Sequence, residues 1–439
     1  MESRSKTVKK NILWSFVLKA LSVGLSFLVL PLTVNYLTAV EYGVWVTLFS
    51  VMNWVNMLDM GIGLGLRNRL AEAVAKRDWY LVRCYMSAGI FSLGGIGFIL
   101  LMTFLVGINF VDFQVVFNSR EISESDLYKA TLWTGIFVIA TFVLSVINQI
   151  YYAYQQAAKT GLINIVHNLV MLVCIYYLTL QPEHSMVSFV FCFGIASLIS
   201  RLVFLGEFFF RNRNVWPSLS LVQIAYIKNI AGIGVQFFII QLAVICLFSS
   251  ANILITQRLG PEHVLAYDIV FKIFSIVTMI HGIICAPLWN AYTEAYVKKD
   301  FAWLRHTIRK MLKLMVPIGV MCILLVVMND WIISIWIRKA VVIPPYLEAA
   351  AGMYAFISCL NNVFAIFLNG VGRIKLQMYL SIVSSVVVIP LAWFLMRDMD
   401  VSGMLFAMVI ALSISTIPLG LQVKWILNDC GEVGRKNEG

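Results

Sequence analysis

Five ionisable side chains in long apolar stretches are the residues of this chain best placed to do chemistry: Lys19, Asp59, Asp268, Lys272 and His281. An ionisable group at the centre of a bilayer costs at least ~3 kcal/mol, so a functional role is its default reading. Lys19 lies seven residues into an apolar run beginning at Ile12, about 10 Å deep at 1.5 Å per helical residue. Asp59 lies eight residues before Arg67, roughly 12 Å from the same face. An ion pair between Lys19 and Asp59 is feasible; the competing reading has Lys19 snorkelling to the interface. Asp268 and Lys272 are spaced i,i+4 and are expected to neutralise one another on one helix face. His281 reads either as a cavity residue or as a helix-packing partner. Arg201, near one end of its run, reads as a snorkelling side chain.

Neutral polar residues form a second constellation. Asn164, His167 and Asn168 occupy i, i+3 and i+4, one face of a helix. Amides suit sugar hydroxyls, and Trp45, Trp54 and Trp289 are spaced where rings could stack on them. The plainer alternative is that amides hold membrane helices together and tryptophans belong to the interfacial belt.

An internal repeat organises the elements that must position these groups. Residues 35–83 return at 257–305, a shift of 222 residues, with 12 of 49 aligned pairs identical. The shift places Phe49 on Phe271, Glu72-Ala73 on Glu294-Ala295, Lys76-Arg77-Asp78 on Lys298-Lys299-Asp300, and Arg83 on Arg305. It also places Asp59 on His281 and Lys19 on Gln241. Both apolar runs are interrupted near their ends, by Gly61, Gly63 and Gly65 in one copy and Pro287 in the other. Such matched interruptions point to a substrate cavity.

Hydrophobic residues make up 61% of the 439 positions, and mean hydropathy is +0.87. Both exceed what soluble chains show. The expected fold is an all-α polytopic membrane protein with twelve transmembrane helices in two six-helix lobes, residues 1–215 and 216–439. An even number of helices per lobe makes the repeat parallel. The run from Ile12 to Leu32 is long for a signal peptide and lacks a small-residue cleavage site, so it reads as a retained first helix. Eight scattered cysteines without a C-x-x-C read as core residues. Of the Lys and Arg between runs or at the termini, 24 fall on one side and six on the other. This places both termini in the cytoplasm. The asymmetry accounts for the net charge of +11 without a nucleic-acid partner, and makes membrane lipids the partners of the basic loops.

The stretches Tyr36-Leu37-Thr38-x-x-Glu41-Tyr42-Gly43-Val44-Trp45 and Leu58-Asp59-Met60-Gly61-Ile62-Gly63, leading to Arg67-Asn68, resemble the polysaccharide transporters of the MOP superfamily. That superfamily also holds the O-antigen flippases and, more distantly, the MATE exporters. The resemblance is specific over residues 11–83. It implies two lobes around a central cavity and alternating access in a bacterial inner membrane. It also implies an undecaprenyl-pyrophosphate-linked oligosaccharide as cargo, and polysaccharide polymerase machinery as a partner. The substrate-cavity set is then Lys19, Asp59, Arg67, Asn164, His167, Asn168, Gln241, Lys272 and His281. No cofactor or metal is expected; if a proton or Na⁺ gradient drives transport, Asp59 is the candidate carrier. The chain has no P-loop, H-E-x-x-H or catalytic Cys/His arrangement at a motif spacing. A membrane glycosyltransferase or polymerase is the rival of another class, and a MATE-like cation-coupled exporter is the nearer one.

Overall fold

A computed structural model describes residues 2–57, 62–154, 156–182, 184–230, 250–285, 288–339, 341–373 and 375–436. The chain divides into two compact units, Met1–Ile245 and Cys246–Gly439. The first holds α1 (Glu2–Tyr36), α2 (Ala39–Met57), α3 (Ile62–Ala75), α4 (Trp79–Gly107), α5 (Glu124–Leu144), α6 (Val146–Ala153), α7 (Ala157–Thr179) and α8 (Met186–Arg211). The second holds α9 (Ala251–Arg258), α10 (Glu262–Cys285), α11 (Leu288–Val297), α12 (Phe301–Ile337), α13 (Leu347–Val371), α14 (Lys375–Met399) and α15 (Ser402–Lys436). The described residues contain no strand.

Among the described residues, nine helical segments are long and apolar enough to cross a membrane, and 20–36 and 39–51 are shorter apolar helices. The apolar run 230–256, which the sequence reads as the seventh crossing, lies largely outside the described residues, as do the interruptions at Gly61 and Pro287. α4, α12 and α14 expose large apolar side chains such as Phe98, Ile323 and Val386, as helices facing hydrocarbon must.

The repeat is visible atom by atom. Asp78 caps α4 by accepting from the Leu81 N–H at 2.9 Å, and Asp300 caps α12 by accepting from the Trp303 N–H at 3.0 Å. Arg77 and Lys299 before them both take left-handed backbone, with φ of 56° and 58°. The Asp78 and Asp300 N–H groups reach back to Ala73 O and Ala295 O. Arg83 Nε donates to Trp216 O at 2.8 Å and Arg305 Nε to Leu427 O at 3.1 Å. Each lobe thus ties the helix after its basic turn to the chain near the end of its last long helix. In the first basic turn, the hydrogen-bonded ammonium of Lys76, 2.7 Å away, holds the Glu72 carboxyl below the usual carboxylate range.

Close approaches explain some of the glycines. A Cβ on Gly65 would collide with the Ile230 carbonyl, so this glycine lets residues 224–230 lie against α3. Gly403 does the same between α15 and α14, where a Cβ would come within 2.5 Å of the Leu395 backbone. At the junction of α5 and α6, Ser145 Oγ donates to Phe142 O at 2.6 Å and Thr141 Oγ1 to Val138 O at 2.9 Å. Such back-bonding bends helices.

Candidate functional site

Each unit contains a ring-walled, partly open cavity. In the first it measures ≈ 190 Å³ and lies between α2, α5, α7 and α8. Trp45 and Phe49, one turn apart on α2, stack at 5.3 Å between centroids, and Phe193 of α8 packs edge-on to both at 4.7 and 5.0 Å. His167 of α7 lies edge-on to Phe193 at 5.0 Å, with Nδ1 3.4 Å from Ser197 Oγ. Asn164, Thr134 and Thr141 add neutral polar groups.

Arg201 gives this cavity its charge. Instead of reaching for the interface as expected, it lines the cavity, with Nη1 donating to Ser197 O at 3.0 Å. Its Nε is buried and finds no partner among the described residues. The acid on its own helix, Glu207, is held by Lys159 at 2.6 Å and Arg211 at 3.2 Å. No carboxylate is among the described residues lining the cavity. Depth along α8 was legible from the sequence, but not the direction in which the guanidinium turns.

The second unit has the corresponding cavity, of ≈ 280 Å³, between α10, α13 and α15. Tyr267 and Phe271 stand where the repeat places Trp45 and Phe49, and stack at 5.5 Å. Thr134, Phe137, Val138 and Thr141 line the first cavity; Ala351, Tyr354, Ala355 and Ser358, with identical internal spacing, line the second. Ser275, Thr278, Asn361 and Asn362 complete a wall that is uncharged among the described residues.

The structure distributes the other expected site residues. Asn164 and His167 line the first cavity, but Asn168 does not. Its Nδ2 donates to Ser22 O at 3.0 Å, fastening α7 to α1. Arg67 is exposed in the middle of α3, its Cζ 4.7 Å from the Tyr152 ring centroid. Lys272 Nζ lies 2.7 Å from Asp268 Oδ2, the pairing that their spacing predicts. His281 is buried, with Nδ1 3.5 Å from Asn362 Nδ2 and Nε2 3.4 Å from Cys285 Sγ. It thus touches a residue of the second cavity's wall. The Lys19 side chain, Asp59 and Gln241 lie outside the described residues. No group of three His, Cys, Asp or Glu able to hold a metal occurs among the described residues.

The two repeated helical units, each with a ring-walled cavity, define a membrane protein with the MATE-type fold. Solved structures share it: an inward-facing multidrug resistance MATE family transporter of the MOP superfamily superposes with a TM-score of 0.72 at 14% identity, covering 94% of this chain and 95% of that one. An outward-facing structure of such a transporter gives a TM-score of 0.64 at 15% identity, covering 97% of each chain. Residues 8–288 match the polysaccharide biosynthesis protein family, and the chain belongs to that family. Residues 238–394 also match the MatE family. Similar curated proteins include a "Putative O-antigen transporter" of Salmonella typhi, 22% identical and covering 94% of each chain. A "Putative O-antigen export protein" of Yersinia pseudotuberculosis is 21% identical, covering 81% of this chain and 82% of its own.

Proposed function

We propose that this chain is a flippase: it carries an undecaprenyl-pyrophosphate-linked oligosaccharide, such as an O-antigen repeat unit, from the cytoplasmic to the periplasmic leaflet of the inner membrane. The two units do so by alternating access, with both termini in the cytoplasm. Family membership and the O-antigen relatives support the cargo class. The observation that carries the reading is Arg201, a fixed cation among aromatic rings, amides and hydroxyls, with no described carboxylate in the cavity wall.

The physical demand is charge shielding. A pyrophosphate entering low dielectric without partners is prohibitively costly, so the pathway must offer fixed cations that also let go. Arg201, Lys19 and Lys272 are the proposed contacts. Lys272 begins neutralised by Asp268, so cargo must compete for it and its share is the smallest. Aromatic faces and amides then take the sugars. Binding and translocation of this kind need no bond to be made or broken, so the chain acts as a transporter and not as a glycosyltransferase or polymerase. If a proton or Na⁺ gradient drives the cycle, Asp59 is its carrier, and Asp59→Asn removes gradient dependence while cargo binding persists.

A cation-coupled exporter of small molecules is the second reading, favoured by the MatE match and the multidrug transporters of like fold. A cavity for cationic cargo should be acidic, and the described walls are cationic in one unit and neutral in the other.

Complementation tests the proposal. In a host lacking its O-antigen flippase, the parent chain restores surface polysaccharide, whereas Lys19→Ala and Arg201→Ala at matched membrane levels do not. Resistance to cationic drugs without polysaccharide would establish the exporter reading.

A further inference from the structure

At the end of the second unit where α15 finishes, a groove of ≈ 840 Å³ runs between α12, α13 and α15, larger than either ring-walled cavity. Its walls are mainly hydrocarbon, with Ile308 and Leu312 from α12, Leu360 and Phe364 from α13, and Ile417 and Leu421 from α15; Thr416 and Asn428 add neutral polar groups. Gly420 belongs to the same wall; a Cβ there would stand 3.1 Å from the Phe364 ring, so a larger residue would fill the apolar part. Ile417 and Leu421 are 66% and 63% exposed on a helix apolar enough to cross a membrane, which opens the groove sideways to lipid.

Three cations, Arg305, Arg309 and Lys424, line the same groove. Arg305 is fixed, with Nε and Nη2 donating to Leu427 O at 3.1 and 2.8 Å. Arg309 and Lys424 are exposed on the two facing helices. No acid is among the described residues that line it. An apolar channel with cations along one end is complementary to an amphiphile with an anionic head. Basic pockets between membrane helices bind phosphate-bearing headgroups in this way.

We propose that this groove binds an anionic phospholipid of the surrounding leaflet, its phosphate between Arg309 and Lys424 and an acyl chain along Leu312, Phe364 and Leu421. The anionic amphiphile most plentiful at that depth is the leaflet's own phospholipid, so mass action gives it the site. Seated there, the lipid bridges α12 and α15 beside the bond from Arg305 to Leu427. The site is separate from the ring-walled cavities and does not depend on the identity of the cargo.

The test uses the full chain in neutral detergent, offered phosphatidylglycerol or phosphatidylcholine of the same acyl composition, with retained lipid read by native mass spectrometry. Wild type retains phosphatidylglycerol in preference, and inorganic phosphate at the same concentration does not displace it. Arg309→Ala/Lys424→Ala lowers retention roughly 30-fold, from the worth of two basic groups near a headgroup. Lys310→Ala/Lys313→Ala removes the same charge from exposed positions of α12 outside the groove and leaves retention unchanged. Gly420→Leu lowers retention with all three cations present. All the charge substitutions are at exposed positions, and a thermal melt of each variant confirms folding. Equal retention of the two lipids by wild type, or equal losses in the two double variants, would overturn the proposal. So would displacement by inorganic phosphate, or stronger retention of undecaprenyl phosphate than of phosphatidylglycerol.

Discussion

Arg201 Nη1 donates to the carbonyl of Ser197, one turn earlier on α8, at 3.0 Å, and this bond folds the guanidinium over the first cavity. Its acceptor is backbone, so the arrangement depends on the arginine and hardly on the serine side chain. Arg201→Ala is expected to lower flipping at least ~10-fold, equivalent to 1.4 kcal/mol, and Arg201→Lys to retain part of it. Ser197→Ala should stay within about twofold, because its hydroxyl offers only a long contact to His167. Surface polysaccharide per unit of membrane-inserted protein is the measurement. Equal losses in Arg201→Ala and Ser197→Ala would mean that the region is needed for packing alone.

Asp78 and Asp300 make the same capping bond in the two units, and should therefore be worth the same. Asp78→Ala and Asp300→Ala are each expected to cost about 0.5–2 kcal/mol, the usual value of such a cap. Thermal melts of the detergent-purified variants measure both. A loss confined to one variant would show that only one copy still uses the cap.

Gly403→Ala forces a methyl against the Leu395 backbone, where no rotamer can yield. It should destabilise by about 1–3 kcal/mol through overpacking. Gly282→Ala, within α10 and with nothing within 4 Å of the new Cβ, should instead gain up to ~1 kcal/mol in helix propensity. Melting temperatures that move in opposite directions confirm this packing; a Gly403→Ala variant as stable as the parent would contradict it.

If the repeat is parallel, residues 76–79 and 298–301 should lie on one face of the membrane, and 118–125 and 338–344 on the other. Single cysteines introduced there, in a background cleared of reactive native thiols, should label from the cytoplasm at the first two sites and from outside at the others. Labelling of 76–79 and 298–301 from opposite faces would break the parallel arrangement.

The repeat was the most legible feature of the sequence. Identical side chains at a fixed shift mark positions that perform the same task, here the caps of Asp78 and Asp300 and the ties made by Arg83 and Arg305. The helices were legible because apolar runs of bilayer length have few other folds. The direction of individual polar side chains was not. Asn164, His167 and Asn168 share a helix face by spacing, yet Asn168 is spent on α1 because the Ser22 carbonyl lies within its reach. Arg201 read as snorkelling because its sequence position gives depth only. Its orientation comes from the Ser197 carbonyl and the cavity between α2, α5, α7 and α8, which a linear reading does not bring together. The glycine at 65 read as a helix interruption beside a cavity, and the structure gives it a packing reason in the Ile230 backbone.

Reconstituted transport tests the central claim most directly. The purified chain in proteoliposomes, given an undecaprenyl-pyrophosphate oligosaccharide with a fluorescent sugar, should make it accessible at the opposite leaflet, as read by a membrane-impermeant quencher. The account predicts transbilayer movement well above protein-free vesicles, lost in Arg201→Ala and partly kept in Arg201→Lys. Movement no faster than in empty vesicles across both orientations and an imposed proton or Na⁺ gradient, with transport of a cationic dye in its place, would contradict it.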